Sequence, residues 1–171
     1  MGRLQGLVAI VTGASSGFGE AIAKAYTKEG ADVIIADVAE EGGKRVEKEI
    51  AEAKGEGRGS AVFLRFDCTK KDDWAKGLQL AKEKFGKLDI VVNNAGTTYK
   101  KQPSIEVSEA DFDKVINVNV KSIYQSVMVV MPYFVERKSG QFINTSSVAG
   151  TRVRPGMVWY GGSKGFVNVV S

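Results

Sequence analysis

Three side chains near the C-terminal end of the sequence could together move a proton: Ser147, Tyr160 and Lys164. Tyr160 and Lys164 stand four residues apart, in Tyr160-Gly161-Gly162-Ser163-Lys164. On a helix this spacing puts both on one face, about one turn apart. A free tyrosine has a pKa near ~10 and exchanges protons poorly at neutral pH. A cation beside it stabilises the phenolate and lowers that value. Bringing it to neutrality takes about 4 kcal/mol. Lys164 and a second positive group could share that task, while Ser147 could hold the reacting oxygen.

Such a set needs a scaffold, and the sequence predicts one. Apolar runs at Leu7–Val11, Val33–Ala36, Ala61–Phe66, Asp89–Val92 and Gln141–Asn144 read as short strands. They are nearly continuous, as in a parallel sheet covered on both faces. Helical patterns fall between them, near 17–29, 40–53, 70–85 and 108–136. Capping-box patterns open two of these, at Thr69-Lys70-Lys71-Asp72 and Ser108-Glu109-Ala110-Asp111,. Pro132 is expected to kink or loosen the end of the long fourth helix. The alternation predicts an α/β fold, a doubly wound parallel sheet with helices on both faces.

The ends of the predicted strands carry the next signals. Leu7–Val11 runs into Thr12-Gly13-Ala14-Ser15-Ser16-Gly17-Phe18-Gly19, followed by a helix. Glycines let a backbone turn tightly and approach a ligand closely. Free amides at a helix start favour a pyrophosphate. Asp37 ends the second strand, where an acid can accept bonds from the ribose hydroxyls of an adenine dinucleotide and repel a 2′-phosphate. A strand-end aspartate capping the next helix is the plainer alternative. Asp67 and Cys68 follow the third strand, where Asp67 could meet the adenine amino group. Asn93-Asn94-Ala95-Gly96 ends the fourth and fits the rim of the same crevice, or a plain turn.

Composition removes other chemistries. Among 171 residues there is no histidine and one cysteine, Cys68. This excludes Ser-His-Asp and Cys-His mechanisms and zinc sites built from His and Cys. Cys68 reads as a small buried residue rather than a nucleophile. A net charge of +4 without a basic stripe gives no reason to expect nucleic-acid binding,. No apolar run approaches the roughly 18 residues of a membrane span. No secretory signal is apparent, so a cytoplasmic protein is expected.

In order and spacing these pieces resemble the short-chain dehydrogenase/reductase family. The resemblance rests on Thr12–Gly19, Asp37, Asn93–Gly96, Asn119 within Ile116-Asn117-Val118-Asn119-Val120, Ser147, and Tyr160 with Lys164. It implies a Rossmann domain over 1–171 and hydride transfer between NAD(H) and a secondary alcohol or ketone. NADP is disfavoured by Asp37. It implies Tyr160 as general acid/base, and Lys164 as the group that lowers its pKa and binds the nicotinamide ribose. Ser147 would position the substrate oxygen, and Asn119 would hold a water linking Lys164 to solvent. The implied cofactor residues are Gly13, Ser15, Ser16, Gly17, Phe18, Gly19, Asp37, Asp67, Cys68, Asn94, Ala95, Gly96, Tyr160 and Lys164. No metal is implied. Assembly into homodimers or homotetramers is implied, with Val127–Met131 either a candidate contact or core facing the sheet. Family members continue past the equivalent of Ser171 with more helix, two strands and a substrate-covering loop. The sequence is therefore expected to be a fragment of a longer protein. The alternative is a non-catalytic NAD-binding module or an inactive truncated homologue.

Overall fold

The computed structural model describes residues 2–53 and 55–171. Five parallel strands form one sheet: β1 (Val8–Thr12), β2 (Asp32–Asp37), β3 (Ala61–Arg65), β4 (Ile90–Asn93) and β5 (Gln141–Asn144), in the order β3-β2-β1-β4-β5. The register pairs Ile10 with Ile34 and with Val91, and Val92 with Ile143. Successive side chains of a strand point to opposite faces. Val8 and Ile10 accordingly join one core cluster, and Ala9 and Val11 the other. Both clusters are closed over by helices, which is why the strands read as unbroken apolar runs.

Helices α1 (Gly17–Lys28) and α2 (Glu40–Glu52) contribute Ala23, Val46 and Ile50 to one cluster. Helix α3 (Lys71–Phe85) and the later α5 contribute Trp74, Ala81, Val130 and Phe134 to the other. The remaining helices are α4 (Glu109–Ile116), α5 (Ser122–Arg137) and α6 (Val158–Val170). Between α4 and α5 lies one wider π turn, Asn117–Lys121.

One local expectation is corrected. Ser108 caps α4 as predicted, its Oγ accepting from the Asp111 amide at 3.1 Å. The Thr69 pattern forms no such box. Thr69 Oγ1 donates instead to Asp67 Oδ1 at 2.7 Å, and Lys70 is the residue before α3, without a side-chain cap. Thr69 stands one residue too early to cap α3, and its hydroxyl proton goes to Asp67 in the turn leaving β3. Pro132 lies inside α5, which continues past it to Arg137 and closes on Lys138 at φ +54°.

Candidate active site

The strands run parallel, so they all leave the sheet on one side. The order reverses between β1 and β4, because the chain passes from β1 outward to β3 and then returns. A crevice opens at the carboxyl ends of such a switch point.

At β1 the chain must turn at once into α1. Gly13 and Gly17 take φ of +66° and +56°, a region side chains avoid,. Gly19 answers a different demand. A Cβ there would lie 2.1 Å from the Gly13 carbonyl oxygen and 2.6 Å from Asn94 Nδ2. Ser16, before α1, makes no side-chain capping bond. The first amides of α1 thus carry no side-chain cap, and with the positive end of the helix they suit an anion.

Thr12 ties this turn to the end of β4. Its Oγ1 accepts from the Asn94 and Ala95 amides, both at 3.0 Å, and donates to the Val92 carbonyl at 3.1 Å. Asn94 Nδ2 donates to the Thr12 carbonyl at 2.9 Å. Asp37 does the same for the β2 side. Its Oδ2 accepts from the Ser15 amide at 3.0 Å and its Oδ1 from the Ala39 amide at 2.9 Å. Both readings of Asp37 therefore have a physical basis: it secures the chain entering α2, and it holds the Gly-rich turn while keeping further acceptor positions.

The crevice measures ≈ 550 Å³, within the roughly 300–1,000 Å³ of small-molecule sites. Of the expected cofactor residues, Gly13, Ser15, Ser16 and Phe18 line it from β1, and Asp37 from β2. Asp67 and Cys68 line it from β3, and Asn94, Ala95 and Gly96 from β4. Gly17 and Gly19 shape the turn without forming the wall. The Cys68 thiol is pushed up to about 12, first by burial and then by the negative charge of Asp67. A thiol held so far from ionisation is no nucleophile.

Of the proton-transfer candidates, Asn119 and Lys164 adjoin this crevice at Gly96, whereas Ser147 and Tyr160 are not among its lining residues. Asn119 lies in the π turn, 2% exposed. Its Oδ1 accepts from the Thr97 amide at 2.8 Å. Its Nδ2 donates to the Thr97 carbonyl at 2.9 Å and to Ser163 Oγ at 3.0 Å. Single π turns concentrate at functional sites because they re-aim a side chain within a helix. Lys164 is also buried, and its Nζ donates to the Thr145 carbonyl at 2.7 Å. Burial holds its pKa below the ordinary lysine value. A Cβ on Gly96 would lie 3.5 Å from both Asn119 Oδ1 and Lys164 Nζ. The crevice wall and the two polar groups thus meet at one glycine.

Ser147 precedes a short 3-10 turn, Val148–Gly150, and its Oγ accepts from the Ala149 amide at 3.2 Å. That bond uses a lone pair and leaves the hydroxyl proton to donate. Tyr160 occupies the first turn of α6, half-buried, one turn before Lys164 on the same face,. The glycines around it have a use. A Cβ on Gly161 would lie 2.9 Å from the Ala149 carbonyl oxygen, and one on Gly150 would lie 2.6 Å from the Lys164 carbonyl carbon. Small residues let the Ser147 turn press against α6.

A profile of the short chain dehydrogenase family matches residues 7–171. The chain belongs to the short-chain dehydrogenase family. It is 43% identical to 4-formylbenzenesulfonate dehydrogenase of Comamonas testosteroni over 157 residues, covering 92% of this chain and 61% of that relative. It resembles the structure of the 3-ketoacyl-(acyl-carrier-protein) reductase of Brucella melitensis complexed with NADH. There the identity is 37% and the TM-score 0.88, over 98% of this chain and 68% of that one. A short-chain dehydrogenase/reductase of Burkholderia phymatum in complex with NAD gives 32% identity and a TM-score of 0.90, over 99% and 59%.

For a short-chain dehydrogenase, several contributors here carry little sequence signal. Ala36, Val38, Ala39, Phe66 and Val118 also line the crevice. Val118 sits inside the quoted Asn119 motif, and the others adjoin Asp37 and Asp67. Thr97, Thr145 and Ser163 hold Asn119 and Lys164 through backbone and hydroxyl groups. Only their place between recognised motifs could have singled them out.

Proposed function

We propose that this chain supplies the cofactor-binding and acid–base part of an oxidoreductase that transfers a hydride between NAD(H) and a secondary alcohol or ketone. The observation that carries this reading is the buried Lys164, whose Nζ abuts the Gly96 wall of the crevice one turn from Tyr160. The NADH- and NAD-bound relatives support the choice of cofactor class.

The residues present fit that cofactor. The Gly13–Gly19 turn would take the pyrophosphate on the amides of α1. Asp37 would accept from the adenosine ribose, and its charge favours NAD over NADP. Asp67 would meet the adenine. Lys164 would bind the nicotinamide ribose. When bound, the cofactor supplies or accepts the hydride.

The chain's own groups handle the proton. Tyr160 donates to the carbonyl oxygen in reduction and accepts from the alcohol in oxidation. Lys164, near the phenol and far from bulk water, stabilises the phenolate. Ser147 uses its free hydroxyl proton to hold the substrate oxygen. Asn119 fixes Thr97 and Ser163 and would hold a water that links Lys164 to solvent. The exposed stripe Tyr124, Met128, Met131 and Val135 along α5 supports assembly of several copies. Val130, in the Val127–Met131 run, faces the core.

The test is Tyr160→Phe in the full-length protein, assayed by NADH oxidation against a panel of ketones and aldehydes. Turnover should fall by about 10²–10⁴, with NADH affinity retained. Near-normal turnover would sink the assignment.

A further inference from the structure

Tyr99 is a buried phenol to which the proposed chemistry gives no task. It is 6% exposed and follows the Asn93–Gly96 turn by three residues. Its oxygen accepts a hydrogen bond from the Trp159 amide at 3.1 Å. Trp159 directly precedes Tyr160 in the first turn of α6.

The first amides of a helix have no intrahelical partner. Ser, Thr, Asp or Asn before the helix normally supplies the missing acceptor. At α6 that position is Met157, which makes no side-chain capping bond. Tyr99 supplies the acceptor from a distant part of the chain. Other contacts hold the same two segments together. Trp159 Nε1 donates to the Ser104 carbonyl at 3.2 Å, and the Gln102 amide donates to the Gly156 carbonyl at 3.3 Å. The Phe112 ring meets the Trp159 indole edge-on, with centroids 5.4 Å apart. Gly156, at φ +77°, allows this closeness: a Cβ there would lie 2.8 Å from Lys101 Cγ.

We propose that Tyr99 is a positioning residue, capping α6 from the loop that follows β4 and fixing Tyr160 relative to Lys164. The proposal rests on reading Tyr160 as the acid/base. Lys164 is anchored independently, at the Thr145 carbonyl. Loosening the first turn of α6 therefore moves Tyr160 relative to a cation that stays in place. The attraction falls with separation, so proton transfer at Tyr160 loses the help of that cation.

The experiment is Tyr99→Phe in the full-length protein, which removes one oxygen and keeps the ring. Turnover should fall by about ten- to a hundredfold, the scale of a misplaced reacting group. The loss should fall on kcat, with the KM for the ketone and the NADH affinity unchanged. Trp159 fluorescence should shift to the red, against a constant contribution from the fully buried Trp74. A wild-type kcat overturns the proposal. So does a loss of NADH affinity that accounts for the whole loss of turnover, since Tyr99 would then shape the cofactor crevice. If the variant does not fold, amide hydrogen exchange of the wild type decides. Slow exchange at Trp159 is expected, and exchange at the rate of an exposed amide overturns the proposal. Failure of the underlying reading looks different, because Tyr160→Phe would then turn over normally.

Discussion

Lys164 donates from Nζ to the Thr145 carbonyl at 2.7 Å, inside the protein and 5% exposed. No carboxylate lies within ion-pair distance of it among the described residues. A single carbonyl does not replace the water that a lysine gives up on burial. The charge is thus held at a cost.

Replacing Lys164 by Met should separate function from stability. Burial lowers the Lys164 pKa in the folded protein below its ordinary 10.5. Between those two values the unfolded chain holds more protons, so wild-type stability rises with pH across that window. Below it the cost of the buried charge is felt in full. Lys164→Met escapes this cost, although the Thr145 carbonyl loses its donor, a penalty of about 1–3 kcal/mol. The variant should be at least as stable as wild type at neutral pH, and wild type should gain on it as pH rises towards 10.5. Turnover should fall by about 10² or more. Urea unfolding at neutral and alkaline pH checks this. A large loss of stability at neutral pH would mean the cation is a net stabiliser.

Gly19 and Gly162 make a matched pair of tests. Both lie in helices, where alanine is intrinsically better by about 1 kcal/mol. At Gly162 an added Cβ meets nothing within 4 Å. At Gly19 it meets the Gly13 carbonyl and the Asn94 amide. Gly162→Ala should stabilise by up to about 1 kcal/mol and leave NADH binding intact. Gly19→Ala should destabilise by about 1–3 kcal/mol and weaken NADH binding, as read by denaturation and fluorescence titration.

The contrast also marks what a sequence can disclose. The strands were legible because Ile10, Ile34 and Val91 belong to continuous apolar runs that a sheet covered on both faces demands. The crevice was legible because its residues sit where those runs end. Thr12 was less so, since its partners Asn94 and Ala95 lie 82 and 83 positions away. The π turn at Asn117–Lys121 leaves the apolar spacing of its neighbours almost unchanged, so periodicity passes over it. The Thr69 box failed because α3 starts one residue too late for it, which leaves Lys70 at the capping position. The capping of α6 by Tyr99 gave no signal, because a capping acceptor is sought beside the helix and here comes from another loop.

Asp37 should decide the choice between dinucleotides. Its carboxylate is held by the Ser15 and Ala39 amides at 3.0 and 2.9 Å. Fixed there, it would both accept from a ribose and oppose a 2′-phosphate. Asp37→Ala removes the acceptor and the repulsion together. NADH affinity should fall and NADPH affinity rise, narrowing the preference by about tenfold, or 1.4 kcal/mol. Titrations of both cofactors measure the ratio, and an unchanged ratio would assign the preference elsewhere.

Asn119 tests whether the two halves of the site are energetically joined. Its amide grips both backbone groups of Thr97 and donates to Ser163 Oγ at 3.0 Å. Ser163 Oγ in turn donates to the Tyr160 carbonyl at 2.7 Å. One side chain therefore connects the loop after β4 to the helix of Tyr160 and Lys164. Asn119→Ala orphans the Thr97 amide in a half-buried setting and should cost about 1–3 kcal/mol. Ser163→Ala breaks the same link from the other side. Groups that share a partner give non-additive losses, with coupling of about 0.5–3 kcal/mol. The double variant should thus lose less stability, and less turnover, than the two single losses combined. Strict additivity in both would mean that Asn119 and Ser163 act separately and that no network ties the crevice wall to Tyr160.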